Sequence, residues 1–290
     1  MNATFKLTLS MVIFGTIGIF RRYIPLPSSL VAMTRGLIGM LFLLLVMVLR
    51  KRGMNRTAVR RKFAMLCLSG AAIGVNWILL FEAYNYTSVA TATLCYYLAP
   101  MFVILASPLV VGERLTAKKM ICVLAALLGM VFVSGVLETG GGSSDLKGVL
   151  LGLGAAVLYA SVVLMNKQLG DVPAYDRTIV QLGSSAAVLL PYVLLTEELG
   201  ALTFTPGTIG LLLVVGVVHT GMAYAMYFGS LMQLKAQTAA ILSYIDPVVA
   251  VLLSALVLKE HMSLLSGLGA ILVLGAAVVS ELPSRRKKAA

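Results

Sequence analysis

The chain has 290 residues, of which 60% are hydrophobic and only 12% charged, with a mean hydropathy of +0.98. A water-soluble domain carries about 25% charged residues, so this composition excludes a soluble enzyme or binding module and points to an integral membrane protein. The net charge of +12 would suggest nucleic acid in a soluble chain, but here the basic residues occupy short gaps between apolar runs, where they orient the runs in a bilayer.

Runs of about 20 apolar residues are long enough to cross a hydrocarbon core, and their spacing predicts ten helices. The first covers 5–24; no small-residue cleavage site follows it, so it reads as an uncleaved span. Pro25 and Pro27 divide it from the second, 29–49, which ends in the basic run Arg50–Lys62. The third (63–83) stops at Tyr84–Ser88, the fourth (89–111) at Gly112–Lys118, and the fifth covers 119–137. Gly140–Gly142, followed by Ser143 and Ser144, lacks the Gly-Lys-Ser/Thr ending of a phosphate loop. It reads as a joint between a first unit, 1–138, and a second, 147–290, with 139–146 between them. The second unit repeats the plan with helices at 147–166, 177–195, 207–229, 237–258 and 264–282. Cys67, Cys95 and Cys122 lie inside apolar runs without metal-ligand spacing and read as small hydrophobes.

Lysine and arginine set the orientation. With both termini in the cytoplasm, the inner side collects Lys6, the seven basic residues from Arg50 to Lys62, Arg114, Lys118, Lys119, Lys167, Arg177, Lys235 and the four from Arg285 to Lys288. Only Arg21, Arg22, Lys147 and Lys259 fall outside, and Arg35 lies within a span. Such a bias fixes topology in a cell (inner or plasma) membrane. The inner loop Arg50–Lys62 is suited to anionic lipid headgroups, a membrane contact with no nucleic-acid partner implied.

The chain also repeats itself at an offset of 147 positions. Thr91–Glu113 (TATLCYYLAPMFVILASPLVVGE) and Thr238–Glu260 (TAAILSYIDPVVAVLLSALVLKE) share Tyr97/Tyr244, Pro100/Pro247, Ser107/Ser254 and Glu113/Glu260, and the offset also aligns Gly74 with Gly221 and Phe81 with Phe228. Apolar composition alone does not align prolines and glutamates. Five spans per unit is an odd number, so the two copies are expected to insert in opposite directions, giving an all-α membrane protein of two inverted five-helix repeats around a central cavity. Inverted repeats supply two nearly equivalent packings, one open to each side.

The repeat unit resembles the EamA family of the drug/metabolite transporter superfamily. The resemblance rests on Tyr97-Leu98-Ala99-Pro100, the turn Gly112-Glu113-Arg114-Leu115-Thr116 and Gly129; on Pro247, Lys259-Glu260-His261, Gly267, Gly269 and Gly275 in the second copy; and on Arg35 early in the second helix. The second copy departs from the turn pattern, with Lys259 for glycine and His261 for arginine. The resemblance implies ten helices around a central cavity and transport of small organic solutes, often export of amino acids or other metabolites.

The residues themselves nominate a site. Pro100 and Pro247 lie near mid-span, where each removes a backbone donor and crowds the preceding turn, so both are candidate helix breaks and gating points. Tyr97 and Tyr244, one turn earlier, offer an apolar face with a polar tip and suit a cavity wall; static kinks and interfacial anchoring are the blander readings. Asp246 precedes Pro247. A carboxylate at that depth costs roughly 2.5–3.5 kcal/mol to insert, so it is expected to face a cavity, where it can carry a proton or hold an ammonium group, or else to cap the backbone freed by the proline. Glu82, near Asn76 and Trp77 and one turn before Tyr86, is a second proton or cation candidate, with reach to the headgroups as its alternative. Arg35 is expected either to bind a substrate carboxylate or to pair with Glu82 or Asp246. His219 is a candidate proton relay or a neutral packed histidine, and Tyr159, Tyr224 and Tyr227 extend the aromatic wall. Glu113 and Glu260, at span ends, read as structural. No cofactor fingerprint and no HExxH or GxSxG signature is present.

These readings converge on a secondary transporter of a small organic metabolite, an amino acid or an organic cation, with no cofactor and no metal. The rivals are a membrane enzyme acting on a lipid-linked substrate, a structural or assembly subunit, and a passive channel.

Overall fold

A computed structural model describes residues 2–110, 116–133, 143–231, 242–243, 245–260 and 262–282. Its helices are α1 (Ala3–Arg22), α2 (Ser28–Leu49), α3 (Arg56–Arg61), α4 (Phe63–Tyr86), α5 (Val89–Tyr96), α6 (Ala99–Val110) and α7 (Ala117–Val133). After the joint come α8 (Ser143–Gln168), α9 (Ala174–Thr196), α10 (Pro206–Leu213), a π-helical stretch (Val214–Met222), α11 (Ala223–Leu231), α12 (Ile245–Leu256) and α13 (Leu264–Glu281).

Their starts are written locally. Asn2, Ser88, Thr205 and Ser263 each turn a side-chain oxygen onto an amide of the first turn of α1, α5, α10 and α13, satisfying donors that a helix cannot satisfy itself. Proline stands just before α2 and α9, at Pro27 and Pro173, where it has no amide to lose. Between these signals the helices are apolar. Among the described residues seven helical stretches are long and apolar enough to span a bilayer, while Ile245–Leu256 and Leu264–Ala276 are shorter apolar helices and α7 has 17 residues.

Three features depart from uniform spans. In the fourth span the helix is interrupted at Tyr97–Leu98, between α5 and α6. The turn tightens there, with the Leu98 amide donating to the Cys95 carbonyl at 3.1 Å, two residues before a proline that has no amide of its own. The eighth span was expected to be one regular helix. Instead Val214–Met222 is wound in π register, with the Thr220 hydroxyl on the carbonyl of Val215, five residues back, at 3.0 Å. α8 begins at Ser143, within the segment expected to be the joint.

Packing follows a pattern. α1 lies against α12 and against α11 with the π stretch, whereas α8 lies against α6 and against α4; α2 packs on the π stretch and α9 on α4. A shift of 147 residues turns each member of these pairs into its counterpart. The pairs α2–α9 and α7–α13 are likewise in contact, and the same shift maps each onto itself.

The basic segment between α2 and α4 is docked in part. Val59 of α3 packs with Leu66, Leu169 and Val172, Arg61 pairs with Asp171, and the Asn55 amide donates to the Asp176 carboxylate at 2.9 Å. The opposite end of the bundle carries Arg22, Glu82 and Glu260.

Candidate functional site

A cavity of about 360 Å³ opens between the two halves, lined by α1, α2, α4, α5 and Ala99 from the first and by α8, α11, Ser243 and α12 from the second. Its chemistry is concentrated at two places. The first is Asp246, in the opening turn of α12, whose carboxylate accepts the hydroxyl proton of Tyr97. Tyr97 can reach across because the chain breaks from helix at that residue. Gly15 lets α1 approach closely: a Cβ there would lie 2.6 Å from the Asp246 carbonyl oxygen. Two groups of aromatic rings share the cavity with Asp246. Tyr96 contacts Tyr97 at 5.9 Å and Tyr159 at 5.2 Å between centroids, and Phe14 contacts Tyr224 at 5.4 Å and Tyr227 at 6.3 Å.

The second place is Arg35, 4% exposed. Its guanidinium carbon sits 4.1 Å from the centroid of the Trp77 ring and 5.4 Å from that of Phe81, and its Nε donates to the Thr220 hydroxyl oxygen at 3.1 Å. Among the described residues the ion pairs are Arg22–Glu260 and Arg61–Asp171. Arg35 therefore pairs with neither Glu82 nor Asp246, contrary to one expectation, and aromatic faces take the place of a carboxylate.

The cavity is closed toward the Arg22 end. Gly18, which lines it, abuts Val89 so tightly that an added Cβ would lie 2.3 Å from a Val89 methyl. Beyond this contact, Arg22 pairs with Glu260 at 2.9 Å and donates to the Thr87 carbonyl at 3.2 Å. Glu260 also accepts the Val89 amide at 3.0 Å and the Ser254 hydroxyl. One carboxylate thus ties the end of α1 to the start of α5 and the turn after α12.

Of the residues nominated from sequence, Tyr97, Asp246, Trp77, Tyr159, Tyr224, Tyr227 and Arg35 line this cavity together. Others lie elsewhere. Glu82 borders a separate polar groove of about 660 Å³ at the Arg22 end, with Arg21, Asn85, Tyr192 and Glu197, and accepts from Ser28 at 2.8 Å and Asn85 at 3.0 Å. Asn76 is buried between α4 and α8, where its amide donates to the Ala155 carbonyl. His219 is buried, its Nε2 2.8 Å from the Thr16 hydroxyl and its ring against Phe20 at 4.7 Å. Pro247 falls in the first turn of α12, and Pro100 lies in α6, its side chain outside the described set. Tyr244, like Glu113, lies outside the described residues. Sequence reasoning missed Phe14, Tyr96, Tyr84 and Thr93, all of which line the cavity. A weak signal existed for α1, where Gly15 and Gly18 share a face at i, i+3. Among the described residues no group of three or more His, Cys, Asp or Glu is gathered to hold a metal.

Comparison with known proteins adds the following. The model of the EamA-like transporter family matches residues 2–135 and again 146–281. The chain is 28% identical to the uncharacterized transporter YxxF of Bacillus subtilis (strain 168), covering 94% of this chain and 87% of that one. It is 26% identical to Protein PecM of Dickeya dadantii (strain 3937), over 81% and 80% of the two chains. A crystal structure matches at a TM-score of 0.70 over 96% of both chains, with 20% sequence identity, a likeness of fold.

Proposed function

The chain belongs to the EamA-like transporter family, and on that footing we propose that it is a secondary transporter that exports a small organic metabolite, an amino acid or an organic cation, by alternating access. The proposed architecture is ten spans in two inverted repeats, 1–138 and 147–290, about a joint at 139–146. The interchange of helix contacts under a 147-residue shift supports this, as do the two separate family matches. In this reading both termini lie in the cytoplasm of a cell-membrane protein, as the lysine and arginine count supports. The Arg22 end is then the outer one. At the inner end the exposed members of the Arg50–Lys62 segment meet anionic headgroups.

The observation that carries the reading is the cavity: it is walled by both halves and, among the described residues, holds one carboxylate and one guanidinium that do not pair with each other. A subunit that merely filled the bilayer has no use for such a void, since buried charge and empty volume both cost stability. A solute bound there bridges the halves. Release to the outside requires α1 to part from α5 at Gly18–Val89; access from the inside requires the opposite end of the cavity to open instead.

Asp246 is the coupling group of this scheme, able to hold a proton or a substrate cation in turn; Glu82, at the outer groove, is the second candidate. Purified protein in proteoliposomes tests both levels. Wild-type protein is expected to catalyse counterflow of at least one amine from a panel of labelled amino acids and organic cations. Asp246→Asn is expected to retain solute–solute counterflow and lose accumulation driven by a proton gradient. Unchanged gradient-driven accumulation removes Asp246 from coupling, and absence of counterflow across the panel overturns the transporter reading.

A further inference from the structure

The walls of the cavity narrow the solute further, on the footing of the transporter reading above. Six aromatic rings share the cavity with one carboxylate, Asp246, in two groups of mutually contacting rings: Tyr96, Tyr97 and Tyr159 in one, Phe14, Tyr224 and Tyr227 in the other. A primary ammonium group brings three N–H donors and a tightly held water shell, and needs acceptors for all three on entering. Ring faces are poor substitutes for such acceptors. A methylated ammonium has no such demand: its charge is spread over C–H groups, and it is attracted to the negative faces of aromatic rings, as in the aromatic cages that bind quaternary ammonium groups. One acceptor site on Asp246 is already filled by Tyr97, which further lowers the capacity of this wall for N–H donors without reducing its negative charge.

Arg35 defines the other pole. It is buried, lines the same cavity and lies beside no carboxylate of the described chain. Stacking on Trp77 holds the guanidinium plane in place while leaving its charge for an anion, and a guanidinium binds a carboxylate through two parallel hydrogen bonds. The cavity volume of about 360 Å³ falls at the small end of the roughly 300–1,000 Å³ usual for ligand pockets, which limits the solute to a short one.

We propose that the cavity selects a small betaine-type zwitterion, its quaternary ammonium group held among the tyrosines that share the cavity with Asp246 and its carboxylate anchored by Arg35. The test is a methylation series at constant carboxylate, glycine, N,N-dimethylglycine and trimethylglycine, with tetramethylammonium as the probe lacking a carboxylate. Binding is measured by titration calorimetry on the purified full chain. Affinity is expected to rise at least tenfold from glycine to trimethylglycine, with tetramethylammonium weaker than trimethylglycine. Tyr159→Leu and Tyr224→Leu are expected to erase the rise, and Tyr159→Phe and Tyr224→Phe to preserve it, which separates loss of a ring face from misfolding. Arg35→Gln is expected to bring trimethylglycine down to the affinity of tetramethylammonium. A series that is flat or falls with methylation, or no binding by any member, overturns the cage; an unchanged preference for trimethylglycine over tetramethylammonium in Arg35→Gln overturns the anchor. A flat series alongside counterflow of a primary amine ends this proposal and leaves transport standing. Tight trimethylglycine binding without flux of any solute does the reverse.

Discussion

Asp246 and Arg35 were legible as single residues because a charge inside an apolar run is costly enough to require a reason. What they touch was not legible. Two carboxylates were offered as partners for Arg35, and the structure gives it Trp77, Phe81 and Thr220 instead. Each ring face offers a buried cation about 0.5–2 kcal/mol, a solution that sequence spacing does not reveal. Trp77→Ala is accordingly expected to destabilise the protein by about 3–5 kcal/mol, the range for losing a large buried aromatic side chain, read as a fall in thermal unfolding temperature in detergent. Trp77→Phe, which keeps a face under Arg35, is expected to cost clearly less. Phe14 and Tyr96 escaped notice for a different reason: a helix apolar on every side has no hydrophobic face to single out, so an aromatic residue on it carries no direction. Lys259 holds a left-handed backbone, φ 53°, where the first copy has Gly112. Lys259→Gly is therefore expected to be neutral or to stabilise by up to about 1 kcal/mol in the same unfolding measurement.

The break in the fourth span was readable from Pro100, and the structure puts an interruption two residues ahead of it. The π stretch was not, because hydropathy reports the length of an apolar run and is silent on which carbonyl each amide bonds. Residues 214–222 are rich in β-branched side chains, which crowd a regular α-helix, and Thr220 in this stretch is held by Arg35 of α2. The closure at the Arg22 end is also a property of elements. Glu260 was read as structural from its place in the chain; in the fold it joins α1, α5 and the α12–α13 turn. Arg22 is partly exposed, so Arg22→Gln is expected to weaken the closure by only about 0.2–1 kcal/mol. Glu260→Gln disturbs three contacts at once and is expected to cost about 1.5–3 kcal/mol. Labelling of a cysteine at Thr93 by an impermeant maleimide from the Arg22 side reads both, with Glu260→Gln the faster of the two. Gly18→Leu is expected to force α1 away from Val89, raising the same labelling rate above that of either variant; unchanged labelling removes the Gly18–Val89 contact from the closure.

At the scale of the molecule the repeat was the strongest sequence signal, and its 147-residue offset recurs in the way the helices pack: α1 with α12 answers α8 with α6, and α2 and α9 meet each other. The position of the cavity follows from that pairing, whereas its walls depend on helix rotations that an almost wholly apolar sequence does not specify. The account's central claim is that this one cavity faces each side of the membrane in turn. Its most direct measurement uses a single cysteine at Ala250, which lines the cavity, in a protein with Cys67, Cys95 and Cys122 replaced, labelled with an impermeant maleimide from one side or the other of oriented vesicles. The account predicts labelling from both sides, with a cross-link between cysteines placed at Arg22 and Glu260 abolishing it from the Arg22 side alone. Labelling confined to one side whatever the state of the cross-link, or from neither, would contradict it.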